Sequence, residues 1–402
     1  MNTTNILVAA SLLLALPLSA CAPKRVAWSD PSLPENQVQI EVLAPAGVLE
    51  QGASSDEPGV RARALDILIR TAPTPDAGGI AKRALWDPDG WVQQEAVRAL
   101  ADRMADPKVA AEAVTLLESF VRRTDALADP YARGAAAVRL AAAGHMDTKD
   151  ALHTAWKKER ADWRAAPLQL GALALGDREA LKPLAETLAN GDIALETDFL
   201  LDIGRSGETE LADALREGDE WIEDEVRLPY AVARLMLGDD SGAKPVEQAI
   251  NGSDPLVALE ALDYLVELDH DKVVNLVRKG RTGGTDLSRA YAHMALAARG
   301  EEKATIYLDA MLSMDPEVRA LAARLSAKAA ANPDLDKKVD RIARKVLETA
   351  LGDEDVRVRL AALRGATRVG GLLPEPPVRA HLADELLAVR VEAAGALLAR
   401  GS

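Results

Sequence analysis

Cysteine occurs once in 402 residues, phenylalanine twice, and aromatic residues together make up 3% of the chain. A single thiol allows no internal disulfide, so stability in an oxidising compartment must rest on packing. No stretch reaches about 18 consecutive apolar residues, the length that a permanent membrane-spanning helix needs. Positive charge is short as well: 48 Lys and Arg stand against 63 Asp and Glu, for a formal charge of −15. That balance argues against a nucleic-acid partner.

Familiar catalytic patterns are also missing. There is no Gly-x-Ser-x-Gly elbow, and the five histidines, His145, His153, His270, His293 and His381, are scattered without the pairing of a zinc protease. Gly280-Arg281-Thr282-Gly283-Gly284-Thr285, beside Arg278 and Lys279, lacks Walker spacing and reads as a loop with glycine ending a helix. Asp87-x-Asp89-Gly90 carries only part of a calcium-loop ligand set. The expectation is a non-enzymatic protein with no metal and no cofactor.

The lone cysteine has an informative position. Leu18-Ser19-Ala20-Cys21 directly follows the apolar run from Ile6 to Leu18, which is too short to span a bilayer and ends in small residues as a cleaved signal does. This segment resembles a bacterial lipoprotein signal peptide, although Met1 to Asn5 contains no Lys or Arg. The resemblance implies removal of residues 1–20, a diacylglyceryl group on the Cys21 thiol and an acyl chain, such as palmitate, on its new amino terminus. At about 0.8 kcal/mol per buried methylene, such chains make attachment effectively permanent. Ala22 after the cysteine implies sorting to the outer membrane, facing the periplasm, where the cell has two membranes. Residues 21–45, with Pro23, Pro31, Pro34 and Pro45, read as a tether in which Val38, Ile40 and Val42 alternate as in a short strand.

Beyond the tether, a repeat fills the chain. Its mark is an apolar residue followed by Arg, with a small or apolar residue four positions after the first. Clear copies are Val60-Arg61 with Ala64, Val226-Arg227 with Tyr230, Val318-Arg319 with Ala322, Val358-Arg359 with Ala362, and Val389-Arg390 with Ala393. Looser copies begin at Val92, Ala132, Arg164, Leu195, Val257 and Ser288, so the intervals are 32, 40, 32, 31, 31, 31, 31, 30, 40 and 31. Apolar positions inside a copy recur at helical spacing, as in Val60, Ala64, Ile67 and Leu68. Turns with Asp, Pro or Gly precede many copies, and a second helical stripe, such as Leu181, Leu184 and Leu188, precedes each such turn. Each unit is therefore expected to be helix–turn–helix.

These residues resemble the HEAT repeat family in its short bacterial form, over roughly residues 45–400. The resemblance implies an all-α, right-handed α-solenoid of about eleven units over residues 46–400. In that family, the Asp of the turn and the Arg after the valine link neighbouring units as a ladder. Carried over, the acids are Asp56, Asp89, Asp254, Asp315 and Asp355, and the bases Arg61, Arg227, Arg319, Arg359 and Arg390. At about 8–10 Å per helix the stack should form a curved rod of roughly 100 Å with no enclosed site.

Two charge clusters are candidates for partner contact. Glu217, Asp219, Glu220, Glu223 and Asp224 surround Trp221, combining negative potential with an aromatic anchor; a solvated turn is the alternative reading. Lys337, Arg341, Arg344 and Lys345 share one side of a helix by their spacing and could meet anionic headgroups or an acidic protein, or simply face solvent. The function expected is a lipid-anchored scaffold that binds other envelope proteins. Two alternatives stay open: a HEAT-like lyase acting on a tetrapyrrole-carrying protein, as in bilin lyases, and a structural protein contacting cell-wall polymer.

Overall fold

The 31-residue period resolves into pairs of helices joined by turns as short as residues 159–161 and 252–254, too short to do anything but reverse the chain. A computed structural model describes residues 44–400 apart from 72–75, 191–195, 220–223 and 269–270, together with 26–27 and 38–39. Among the described residues there are twenty-two α-helices, numbered here in chain order. The even-numbered ones carry the repeat mark: α2 Pro58–Thr71, α4 Gly90–Arg103, α6 Pro130–Ala142, α8 Asp162–Ala174, α10 Thr197–Ser206, α12 Asp224–Met236, α14 Pro255–Leu268, α16 Asp286–Ala297, α18 Pro316–Ala330, α20 Val356–Arg368 and α22 Leu387–Leu398. The odd-numbered ones are their partners: α1 Pro45–Gly52, α3 Asp76–Leu85, α5 Ala110–Val121, α7 Lys149–Lys158, α9 Leu181–Asn190, α11 Leu211–Gly218, α13 Ala243–Asn251, α15 Asp271–Gly280, α17 Ile306–Ala310, α19 Lys338–Leu351 and α21 Glu375–Ala380. Separately, β1 Val26–Ala27 and β2 Val38–Gln39 pair antiparallel, with Val26 opposite Gln39. Cys21 and most of the expected tether lie outside the described residues.

Local chemistry sets the helix ends. Asp89 accepts hydrogen bonds from Trp91 N–H at 2.9 Å and Val92 N–H at 3.4 Å, and Asp129 from Ala132 N–H at 2.7 Å, so both occupy N-cap seats of even-numbered helices. At the other end, Gly176 and Gly238 take left-handed backbone (φ 87° and 95°), letting the next N–H reach back into the helix: Asp177 N–H to Ala172 O at 2.9 Å and Asp239 N–H to Arg234 O at 2.9 Å.

Packing then departs from the expected rod. Each even-numbered helix packs on the next, and the last, α22, packs on the first, α2. Helix α1 lies between α22 and α2 just as α3 lies between α2 and α4. The α-solenoid is therefore closed into a ring, with the even-numbered helices inside and the odd-numbered ones outside. The reason is in the terminal units. An open array needs polar outer faces at its ends, whereas here Val48 and Leu49 of the first unit and Val389, Val391 and Ala393 of the last are buried. Each end covers the other's apolar face, and full burial of one such Val or Leu stabilises by about 1.5–3 kcal/mol. Glycine lets the seam close: a Cβ on Gly52 would stand 2.7 Å from Val391 Cγ2, and one on Gly395 would stand 2.8 Å from Ile67 Cδ1.

Candidate functional site

Closure gives the inner helices a face that an open rod would leave to bulk solvent. On α2 that face carries Arg63, Asp66 and Arg70, on α4 Glu95, Arg98 and Asp102, and on α10 Asp198, Asp202 and Arg205, each set spaced three and four residues apart along one helical stripe. The charges pair around the ring. Arg63 donates to Glu392 Oε1 and Oε2 at 2.9 and 2.8 Å and to Asp66 at 2.5 Å. Arg364 joins Glu392 at 2.7 Å, and Arg70 bridges Asp66 and Asp102. Arg98 spans the interior from Glu95, at 2.9 Å, to Asp198, at 3.0 Å.

Between these walls lies a cavity of about 530 Å³. Arg98, Arg139, Arg205 and Arg324 bring positive charge to it, Asp102, Glu196, Asp198, Asp202 and Asp263 negative charge, and Tyr131, Phe199, Tyr264 and Leu170 apolar surface. Its size falls within the usual range for a ligand pocket. Tyr131 and Phe199 meet edge to face, with centroids 5.7 Å apart. Asp202, 4% exposed, is held by Arg205 at 2.7 Å and Arg139 at 3.3 Å. Gln94 Nε2 reaches Glu196 at 3.0 Å and Asp129 at 3.3 Å. Burial raises the pKa of Glu95, against the opposing pull of Arg98, and burial likewise raises those of Asp129 and Glu196. Burial and the charge of Glu196 push the Tyr131 hydroxyl up to about 12. The cavity is open to solvent and arises from ring closure, which the expected rod did not include. Sequence reading missed it because its walls come from six inner helices whose meeting depends on ring closure.

The ladder acids are also corrected. Arg61 makes a two-pronged ion pair with Asp87, at 2.8 and 3.0 Å, and Arg319 one with Asp353, at 2.7 and 2.9 Å; Arg359 lies 3.5 Å from Asp384. In the first two pairs the acid lies two residues before the expected Asp89 or Asp355. Those later acids, with Asp254 and Asp315, instead accept from backbone N–H groups at the start of the helix, as in Asp315 with Glu317 N–H and Asp355 with Arg357 N–H, both at 2.9 Å. The geometry explains the division: the second acid sits in the N-cap seat, while the first faces the preceding unit. Asp56 is exposed near Arg61, and Arg390 donates to the Asp384 carbonyl at 3.1 Å. Arg227 is exposed on α12.

Of the acidic cluster, Glu217 is exposed and Asp219 pairs with the buried Arg234 at 3.3 Å. Glu220, Trp221 and Glu223, with the side chain of Asp224, lie outside the described residues. The cations around Gly280–Thr285 are taken up locally: Arg278 by Glu301 at 2.6 Å, Lys279 by Glu247 at 2.8 Å and Arg281 by Glu302 at 3.2 Å. Lys337, Arg341, Arg344 and Lys345 are all exposed.

A second feature emerges from the ring. Among the described residues ten large apolar side chains are exposed, and nine of them, all but Met146, lie where outer helices turn into inner ones. They include Trp91, Leu127 and Trp163, Leu256 at 64%, Leu312 at 82% and Met314 at 94% exposure. Because every unit turns the same way, these positions share one rim. No helix among the described residues is long and apolar enough to cross a membrane.

No family model matches the sequence, and no curated protein matches it. Among solved structures, the chain is similar to human deoxyhypusine hydroxylase in complex with glycerol, at 17% identity over 81% of this chain and 95% of that one, with a TM-score of 0.27. It is also similar to the UNC-45 chaperone, whose structure concerns binding and folding of muscle myosin, at 14% identity over 89% of this chain and 47% of that one, with a TM-score of 0.25. Both are helical-repeat proteins. The hydroxylase is an enzyme, and the expectation that this protein is not an enzyme is withdrawn.

Proposed function

We propose that this protein is a lipid-anchored ring of helical repeats that holds another protein at the cell envelope. The observation that carries the reading is the rim on which gather nine of the ten large apolar side chains that are exposed among the described residues. Scattered single apolar residues are ordinary on a protein surface, but their concentration along one edge marks an interaction surface. The chain enters the helical unit at Ala44, at the start of α1, and outer helices begin on the opposite rim. The chain that follows Cys21 thus enters the ring on the rim away from the exposed apolar side chains.

A photo-crosslinking residue at Met314, compared with one at Met146 on the opposite rim, tests this in intact cells. A discrete adduct from position 314 that disappears with Leu312→Asp supports the reading. Equal labelling from both rims overturns it. Cys21→Ser should release the protein from the membrane fraction, and unchanged fractionation overturns the anchor.

A further inference from the structure

We infer that the outer face of α19 is a docking surface for anionic lipid headgroups, so that the ring lies against the membrane to which Cys21 is anchored; this rests on the anchored reading above. Lys337, Lys338, Arg341, Arg344 and Lys345 are exposed, while Ala343, Val346, Leu347 and Ala350 on the opposite side of the helix are buried in the ring. The arginines of the neighbouring inner helices are engaged: Arg319 with Asp353, Arg324 with Asp263, Arg357 with Asp355 and Arg364 with Glu392. Among the described residues none of these five cations, Lys337 at the N-cap and four on α19, makes a side-chain ion pair. Asp334, Asp336, Asp340 and Glu348 flank them, so five cations face four acids, a small local excess of positive charge in a chain of net charge −15.

Sign and place both point to a membrane. A strongly acidic protein is repelled by an anionic bilayer in most orientations, and the face with excess positive charge is the one that can approach. Ring closure puts that face near the start of α1, where the chain from Cys21 enters the helical unit. In the outer layer only α21 separates α19 from α1, where the chain enters at Ala44. Two helix spacings put the two about 20 Å apart, whereas in an open rod they would lie near opposite ends. The N-termini of α19 and α1 share one rim, and it is the rim away from the exposed apolar side chains. The 22 residues between Cys21 and Ala44 can span at most about 75–80 Å when fully extended, so the tether allows α19 to reach the bilayer. Lipid chains and a basic face would then act as two signals, the second fixing orientation.

The test uses the full chain with Cys21→Ser, so that no lipid contributes, and flotation with phosphatidylcholine vesicles with or without about 30% phosphatidylglycerol. Any binding through the apolar leader is common to both vesicles, and the difference between them reads the electrostatic part. The expected result is binding that depends on phosphatidylglycerol, is lost in high salt, and falls at least about tenfold in the variant K337E/R341E/R344E/K345E. A variant with the same change in net charge elsewhere, K82E/R83E/K158E/R160E, should keep most of it. Absence of phosphatidylglycerol dependence, its persistence in the α19 variant, or equal loss in both variants overturns the inference. Mass spectrometry of Cys21 in the wild-type protein reads the anchor independently.

Discussion

Arg63 in the first inner helix and Glu392 in the last are 329 positions apart in sequence and share a two-pronged ion pair with N–O distances of 2.9 and 2.8 Å. Glu392 is 1% exposed, and Arg364 binds it from a third helix at 2.7 Å. Burial alone pushes this carboxyl up, but Arg63 and Arg364 outweigh burial and hold it below the usual carboxylate range.

Glu392→Gln should therefore destabilise the ring by about 3 kcal/mol, the lower end for breaking a buried pair, because Arg63 and Arg364 are 31% and 55% exposed and keep some water. The sign with pH follows from the lowered pKa. The wild-type contribution is complete above the unfolded value of about 4.3 and is lost as pH falls through the lower folded value. Denaturant titrations from neutral to acid pH should show a shallower acid loss in the variant; parallel curves would remove Glu392 from this role.

Gly395→Leu places a side chain where Ile67 already stands 2.8 Å from the position of a Cβ. Overpacking of this kind costs about 1–3 kcal/mol. Small-angle scattering should show a larger radius of gyration as α2 and α22 part, whereas an unchanged profile would mean that the seam can adjust.

Asp87 and Asp89 should separate by mechanism. Asp89→Ala loses an N-cap, about 1 kcal/mol, and shows weaker coupling to Arg61, on which it acts only through its charge. Asp87→Ala removes the partner of Arg61, and a double-mutant cycle on thermal or chemical unfolding should return about 1–3 kcal/mol of coupling. Equal coupling for the two acids would count against the assignment.

Burial holds the pKa of Glu95 above its ordinary value. Its protonated form is thus favoured by folding, and stability is lost as pH rises through the unfolded and then the folded pKa. Glu95→Gln should stabilise the protein at neutral pH, with the gain shrinking towards acid pH. A loss of stability at neutral pH would show that the pair with Arg98 outweighs burial.

Leu312→Asp and Met314→Asp change side chains 82% and 94% exposed, so unfolding free energy should move by no more than about 0.5 kcal/mol. Partner crosslinking should be lost. Loss of folding instead would mean that these residues serve the ring.

The helical units were legible because period and turn chemistry are local. Val60, Ala64 and Ile67 announce a helix, and an Asp before the stripe announces its start. What escaped was carried by long-range contact. Arg63 and Glu392 each lie at a polar position of an amphipathic helix, where nothing local marks a partner, and only curvature summed over all the units brings them together. The ladder was misassigned for a finer reason: two acids two residues apart, Asp87 and Asp89, have the same chemistry, and the bend of the turn decides which faces Arg61. The cavity inherits the first problem, because Arg98 and Asp198 meet across the ring.

A closed array also fixes its own copy number. Eleven inner helices sharing a full circle must each turn by about 33°, whereas an open solenoid can gain or lose a unit at little cost. Duplication of one unit here would leave a gap or an overlap at the junction of α22 with α1 and α2, a junction whose glycines leave no room for a Cβ. Change in this protein is therefore channelled into side chains and turns rather than into the number of repeats.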